Sequence, residues 1–168
     1  MIDPLFIYLS SAFIALYFLL SGIHKFMNLD RFCATLNDYE LLPDRLAKPV
    51  ARLLALLELV IGGGFVLLSV QVFAVGSMSW PSYAAAWLLL LYAVAMAINI
   101  YRGRTNIDCG CSFQARKTPL SYGHLLRNMA LACLSLVPLF PASERDLTHV
   151  DVMHVLRSTA ESMHATVM

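Results

Sequence analysis

Between Leu53 and Tyr101 the chain carries a single charge, Glu58, and between Pro4 and Ile23 it carries none. Crossing the hydrocarbon core of a bilayer takes about 20 apolar residues in a helix. The run from Pro4 matches one crossing. The run from Leu53 is long enough for two, with Gly76-Ser77 and Trp80-Pro81-Ser82 supplying a turn between them. A soluble domain averages about 25% charged residues, whereas charged residues are 14% and apolar residues 59% of this chain. So few charges cannot cover a water-facing surface, and lipid is the expected solvent.

Another apolar run follows Thr118, which can cap a helix, and Pro119, whose missing N–H has no intrahelical partner in a first turn. The expected fold is all-α: one four-helix transmembrane bundle with crossings near residues 4–23, 50–75, 82–101 and 119–140. The first crossing lacks the positive leader and small-residue cleavage site of a signal peptide, so it reads as a retained helix. Between the first two crossings, Leu29, Phe32, Leu36 and Tyr39 keep a helical spacing, and Pro43 and Pro49 interrupt it. A short amphipathic interfacial helix is expected there. A second is expected in the tail, 142–168, where Leu147, Val150, Met153 and Leu156 share one face.

Four crossings put loops 24–49 and 102–118 on one side of the membrane and both termini on the other. The two-loop side carries Lys25, Arg31, Arg45, Lys48, Arg52, Arg102, Arg104, Arg116 and Lys117, against Arg145 and Arg157 opposite. The positive-inside rule therefore places both loops in the cytoplasm. Net charge is +1 and no basic cluster alternates with aromatics, so nucleic acid is not an expected partner.

The most informative loop segment is Asp108-Cys109-Gly110-Cys111-Ser112-Phe113. A disulfide requires Cα atoms about 4.4–6.8 Å apart, and residues i and i+2 of an extended chain approach the upper limit. Gly110 lets the backbone bend so that Cys109 and Cys111 can close. A strained disulfide is the exchange-prone kind, and nearby Arg and Lys favour the reactive thiolate. Cys109 and Cys111 are thus the candidate redox pair, with Cys33 in the other loop as a candidate exchange partner and His124 as a candidate acid/base. Half of a zinc site completed by Cys33 and His124 or His24 is the competing reading, although zinc sites more often use C-x₂-C spacing or longer. Inert loop cysteines are a third. Cys133, among Leu131, Ala132 and Leu134, reads as a small apolar packer.

Ionisable groups inside a membrane are costly and call for a partner. Glu58 and Arg127 lie at similar depth, about 12–14 Å below the same face when counted from Pro49 and Pro119. The expectation is a Glu58–Arg127 ion pair. His24-Lys25 reads as a headgroup anchor for the first helix, and Gly62-Gly63-Gly64 as a site of close helix approach.

Four segments together carry a family resemblance: Ser21-Gly22-Ile23-His24-Lys25-Phe26, Glu58-Leu59-Val60-Ile61-Gly62, Asp108-Cys109-Gly110-Cys111 and Leu126-Arg127-Asn128. With them the chain resembles the MauE/DoxX family of membrane proteins, and within it the methylamine-utilisation branch, over residues 5–140. The resemblance implies a bacterial inner-membrane role in maturing the small subunit of methylamine dehydrogenase, beside a thioredoxin-like MauD-type partner. It also implies Cys109 and Cys111 as the redox pair. The family often shows D-C-G-C-F-G, from which Ser112-Phe113-Gln114 departs. The layout is also similar to the vitamin K epoxide reductase group, whose enzymes use a C-x-x-C pair and a quinone; by that analogy a quinone is the candidate cofactor. Maturation of a periplasmic subunit stands in tension with cytoplasmic loops. A membrane scaffold or small transport component is the alternative to a thiol–disulfide oxidoreductase, and would tolerate serine at both cysteines. From the charge count, a membrane-impermeant thiol reagent applied to intact spheroplasts leaves Cys109 and Cys111 unlabelled; labelling would put the loops outside.

Overall fold

The computed structural model describes residues 3–71, 79–109 and 119–140. Helix α1 spans Pro4–Met27; the Asp3 side chain accepts from the Leu5 N–H at 2.8 Å, and Pro4 opens the first turn. Helix α2, Leu29–Asp38, is the short amphipathic helix expected between the first two long ones. Its spaced apolar side chains all turn inward: Phe32 and Tyr39 are buried, and Leu29 and Leu36 pack on the core. Helices α3, Asp44–Gln71, and α4, Trp80–Tyr101, follow, and α5 spans Tyr122–Ser135, continued by a 3-10 turn at Val137–Leu139.

All of this is helical, apart from an isolated bridge between Asp108 and Pro119. Helices α1, α3 and α4 are long and apolar enough to cross a membrane. Their outer faces carry Leu9, Phe13, Leu16, Leu53, Val60 and Val94, all exposed, as lipid-facing side chains would be. The expected fourth crossing is shorter than 119–140. Leu120 N–H donates to the carbonyls of Thr105 at 2.9 Å and Ile107 at 3.2 Å, so 119–120 runs extended beside 105–108 and the helix begins at Tyr122. The cap is therefore Ser121, while Thr118 lies outside the described residues. In the other direction, α3 begins at Asp44 rather than at 50. Pro49 therefore lies inside the helix, past its first turn, where it lacks the N–H for an i→i−4 bond. The turn at Gly76-Ser77 and the tail 142–168 also lie outside the described residues.

The core is a seam between antiparallel helices. On α1 it runs Ile14, Phe18, Ser21, Lys25; on α3 it runs Ala51, Leu54, Glu58, Ile61, Phe65, all buried at alternating spacings of three and four. Leu88 and Leu89 of α4 join it. Glycines set how close α1 and α3 come. A Cβ on Gly62 would lie 2.8 Å from Leu19 Cγ and 3.0 Å from the Leu19 backbone nitrogen, and one on Gly22 would lie 3.1 Å from the Ala55 carbonyl. The buried hydroxyls of Ser10 and Ser11 return to their own helix, donating to the Ile7 carbonyl at 2.9 and 2.8 Å.

Gly62→Ala is expected to destabilise the bundle by about 1–3 kcal/mol through overpacking against a backbone atom that cannot yield. Gly63→Ala, where a Cβ would meet nothing within 4 Å, is expected to be neutral. Thermal unfolding in detergent, followed by circular dichroism, compares the two.

Candidate functional site

At the end of α1 the seam becomes ionic. Lys25 Nζ donates to Glu58 Oε1, and both residues are nearly sealed, with 4% and 2% of their surfaces exposed. Tyr92 of α4 donates its hydroxyl to the same Oε1 at 2.8 Å and accepts from Lys25 Nζ at 3.3 Å. Aromatic faces complete the enclosure, Lys25 Nζ standing 4.9 Å from the Phe32 ring centroid and 4.5 Å from that of Tyr92. The group thus ties together α1, α2, α3 and α4.

This arrangement corrects two expectations. Glu58 does not pair with Arg127: helix α5, which carries Arg127, packs on α4 and α1, and Lys25 and Tyr92 occupy the Glu58 oxygen. The depth count from Pro49 and Pro119 also fails, because α3 begins at Asp44 and α5 at Tyr122, and adjacency rather than depth decides whether two groups meet. Arg127 keeps its Nε and Nη2 buried without a hydrogen-bond partner, as does the neighbouring Asn128 amide, which is fully buried. Lys25, for its part, is not a headgroup anchor. It continues the buried face of Ile14, Phe18 and Ser21, and that periodicity was the signal for its inward position. With Lys25 withdrawn into the interior, the two-loop side also presents one fewer free positive charge.

The two loops do meet on one face. Arg31 of α2 pairs with Asp108 at 3.2 Å, and Arg104 pairs with Glu40 at 2.7 Å. Glu40 has a left-handed backbone with φ 49°, and Gly103, at φ 73°, turns the chain after α4. Tyr39 donates its hydroxyl to the Cys109 carbonyl at 3.2 Å. Cys109 is 4% exposed and packs in a small cluster with Tyr39, Met96 and Leu120. Of the expected redox pair, Cys109 is therefore placed, whereas Gly110 and Cys111 lie outside the described residues. Cys33 is half-buried against the main core, a different packing cluster from that of Cys109. His124 opens α5 with its Nδ1 2.8 Å from Ser121 Oγ. Among the described residues, no three His, Cys, Asp or Glu side chains gather as a metal site would require.

Between α2, α3 and α4 lies an apolar cavity of about 440 Å³. Leu54, Met96 and Phe32 form part of its wall, Lys25 and Tyr92 give it a polar point, and Cys109 lines it as well. Leu91, Val94 and Ile98, exposed on the outer face of α4, also line it.

The family model described as methylamine utilisation protein MauE matches residues 3–141. The chain belongs to the MauE family. It is 35% identical over 136 residues to the methylamine utilization protein MauE of Paracoccus denitrificans, covering 81% of this chain and 69% of that one. To the protein of the same name from Methylophilus methylotrophus it is 38% identical over 137 residues, covering 80% and 67%. To that of Methylorubrum extorquens it is 36% identical over 134 residues, covering 79% and 68%. No solved structure matches the chain. Two of the segments that carry the MauE resemblance, Ser21–Phe26 and Glu58–Gly62, are the ones that supply the Lys25–Glu58 pair.

Removing one member of a buried ion pair strands the other charge, at a cost of about 3–5 kcal/mol. Glu58→Gln or Lys25→Met alone is expected to destabilise the bundle by that order, and Lys25→Met with Glu58→Leu to recover much of the loss. A double-mutant cycle on unfolding in a bilayer mimetic should show strong coupling between residues 25 and 58. Coupling between 58 and 127 should be near zero.

Proposed function

We propose that this chain is a membrane accessory protein of methylamine utilisation that supports maturation of the methylamine dehydrogenase small subunit by thiol–disulfide exchange. Cys109 and Cys111 form the exchanging pair, and a thioredoxin-like MauD-type protein is the partner. Membership of the MauE family supports the setting. The observation that carries the chemistry is the position of Cys109, where the two loops join and beside the apolar cavity.

The steps follow from thiol chemistry. A thiolate of the partner attacks one sulfur of the Cys109–Cys111 disulfide, and the other cysteine leaves as thiolate. The partner's second thiolate then attacks the mixed disulfide, leaving the partner oxidised and Cys109 and Cys111 reduced. Cys109 is sealed from solvent, so this reading assigns the attack to Cys111 and makes Cys109 the leaving thiolate. Fixing the first loop against the third, through Arg31–Asp108 and Tyr39–Cys109, keeps the buried sulfur in place during that exchange.

Helix α5 serves as the fourth crossing in this reading. With its 3-10 turn it reaches about 27 Å, close to the roughly 30 Å of hydrocarbon that an inner membrane presents. It runs beside α4 and α1.

Replacing Cys109 and Cys111 together by serine is expected to stop assembly of active methylamine dehydrogenase in cells while the chain still reaches the membrane. Alkylation mass shifts should show the two thiols of the unaltered chain oxidised and reduced together. Normal dehydrogenase assembly with the double serine variant would overturn the proposal.

A further inference from the structure

A pair of cysteines that hands a disulfide to a partner must be reoxidised, and the cavity beside Cys109 has the features of a site for the oxidant. It is large enough for a small organic ligand, since such sites run from about 300 to 1,000 Å³, and its volume is about 440 Å³. Its walls are apolar apart from Thr35 and Tyr39, whose hydroxyls donate to the Arg31 and Cys109 carbonyls, and a polar point at Lys25 and Tyr92; Leu91, Val94 and Ile98 bring its rim to the exposed apolar face of α4. A ligand arriving from the lipid phase enters there.

The polar point selects the ligand's head. Lys25 spends two of its three N–H donors on Glu58 and Tyr92, which leaves one for an acceptor in the cavity. Its charge is already balanced by Glu58, whose second oxygen is buried without a hydrogen-bond partner. A carboxylate or phosphate head would therefore enter an apolar cavity with no counter-charge left to meet it, which is costly. A neutral carbonyl would accept from Lys25 without that penalty. An apolar body, a neutral carbonyl head and a cysteine on the same wall together describe a redox-active carbonyl compound of the membrane.

We propose that the cavity binds a lipid quinone and that this quinone reoxidises the cysteine pair, an inference that rests on the thiol-exchange reading above. The step balances. The S–H bonds of Cys109 and Cys111 break and one S–S bond forms, releasing two electrons and two protons. The quinone takes both, its two carbonyl oxygens becoming the two hydroxyls of the quinol. Lys25 holds one carbonyl oxygen and steadies the negative charge that grows on it during reduction.

The test uses the full chain in lipid nanodiscs with decylubiquinone as the probe, read by native mass spectrometry for binding and by alkylation mass shift for thiol state under anaerobic conditions. Saturable binding and quinone-dependent oxidation of the pair are expected. Ala95→Phe, which fills the cavity, and Val94→Trp, which narrows its exposed rim, should each weaken binding by about tenfold and slow that oxidation in step. Unchanged helicity in either variant excludes misfolding as the cause. Binding no greater than in empty nanodiscs, or binding that leaves the thiols reduced, overturns the proposal. A parallel arm treats the unaltered chain with glutathione disulfide: oxidation of the pair there, with no response to quinone, sinks the quinone site and keeps the exchange reading. A pair inert to glutathione disulfide and quinone alike sinks both.

Discussion

One buried ionic contact organises the molecule. Lys25, Glu58 and Tyr92 come from three different long helices and meet where Lys25 and Glu58 are nearly sealed. Within hydrocarbon a lone charge is expensive, so each of these helices is held in register by the need of the others to satisfy it. Apolar packing between helices in lipid has no strong preference of its own, because lipid tails are as apolar as leucine. The ionic knot and the close glycine contacts at Gly22 and Gly62 supply the specificity that apolar burial cannot.

The knot also determines what α2 can do. By laying Phe32 over Lys25 and turning Tyr39 toward the Cys109 carbonyl, the short helix ties the ionic centre to the cysteine loop. Two further ion pairs, Arg31–Asp108 and Arg104–Glu40, fasten the same loop from outside. The second of these is a surface pair with Glu40 mostly exposed, and contributes little energy. The first shields a nearly sealed Asp108. The cavity is the space left between α2 and α4 once these ties are made, and its polar corner belongs to the knot.

Much of the bundle was legible from periodicity. Uncharged runs marked α1, α3 and α4, and the spacing of Leu29, Phe32, Leu36 and Tyr39 marked α2, because a helix must turn a repeating face to its core. The same periodicity, followed to its end, carries Lys25 onto the buried side of α1, although a charged residue beside a helix terminus invites the reading of a surface anchor. The start of α5 was misplaced because Pro119 fits a helix N-terminus equally well as an extended strand. The backbone bonds from Leu120 to residues 105 and 107, remote in sequence, chose the extended form.

By itself, the sequence determined the all-helical class and the three helices long and apolar enough to cross a membrane. These depend on composition and on distance along one helix, which are local quantities. Only the tertiary structure decided that Glu58 belongs to Lys25 and Tyr92 rather than to Arg127, and that Cys109 borders an apolar cavity. Those facts depend on which helices stand side by side and how each is rotated about its axis. Both are fixed by packing among distant segments, and the spacing of residues within any one of them does not encode them.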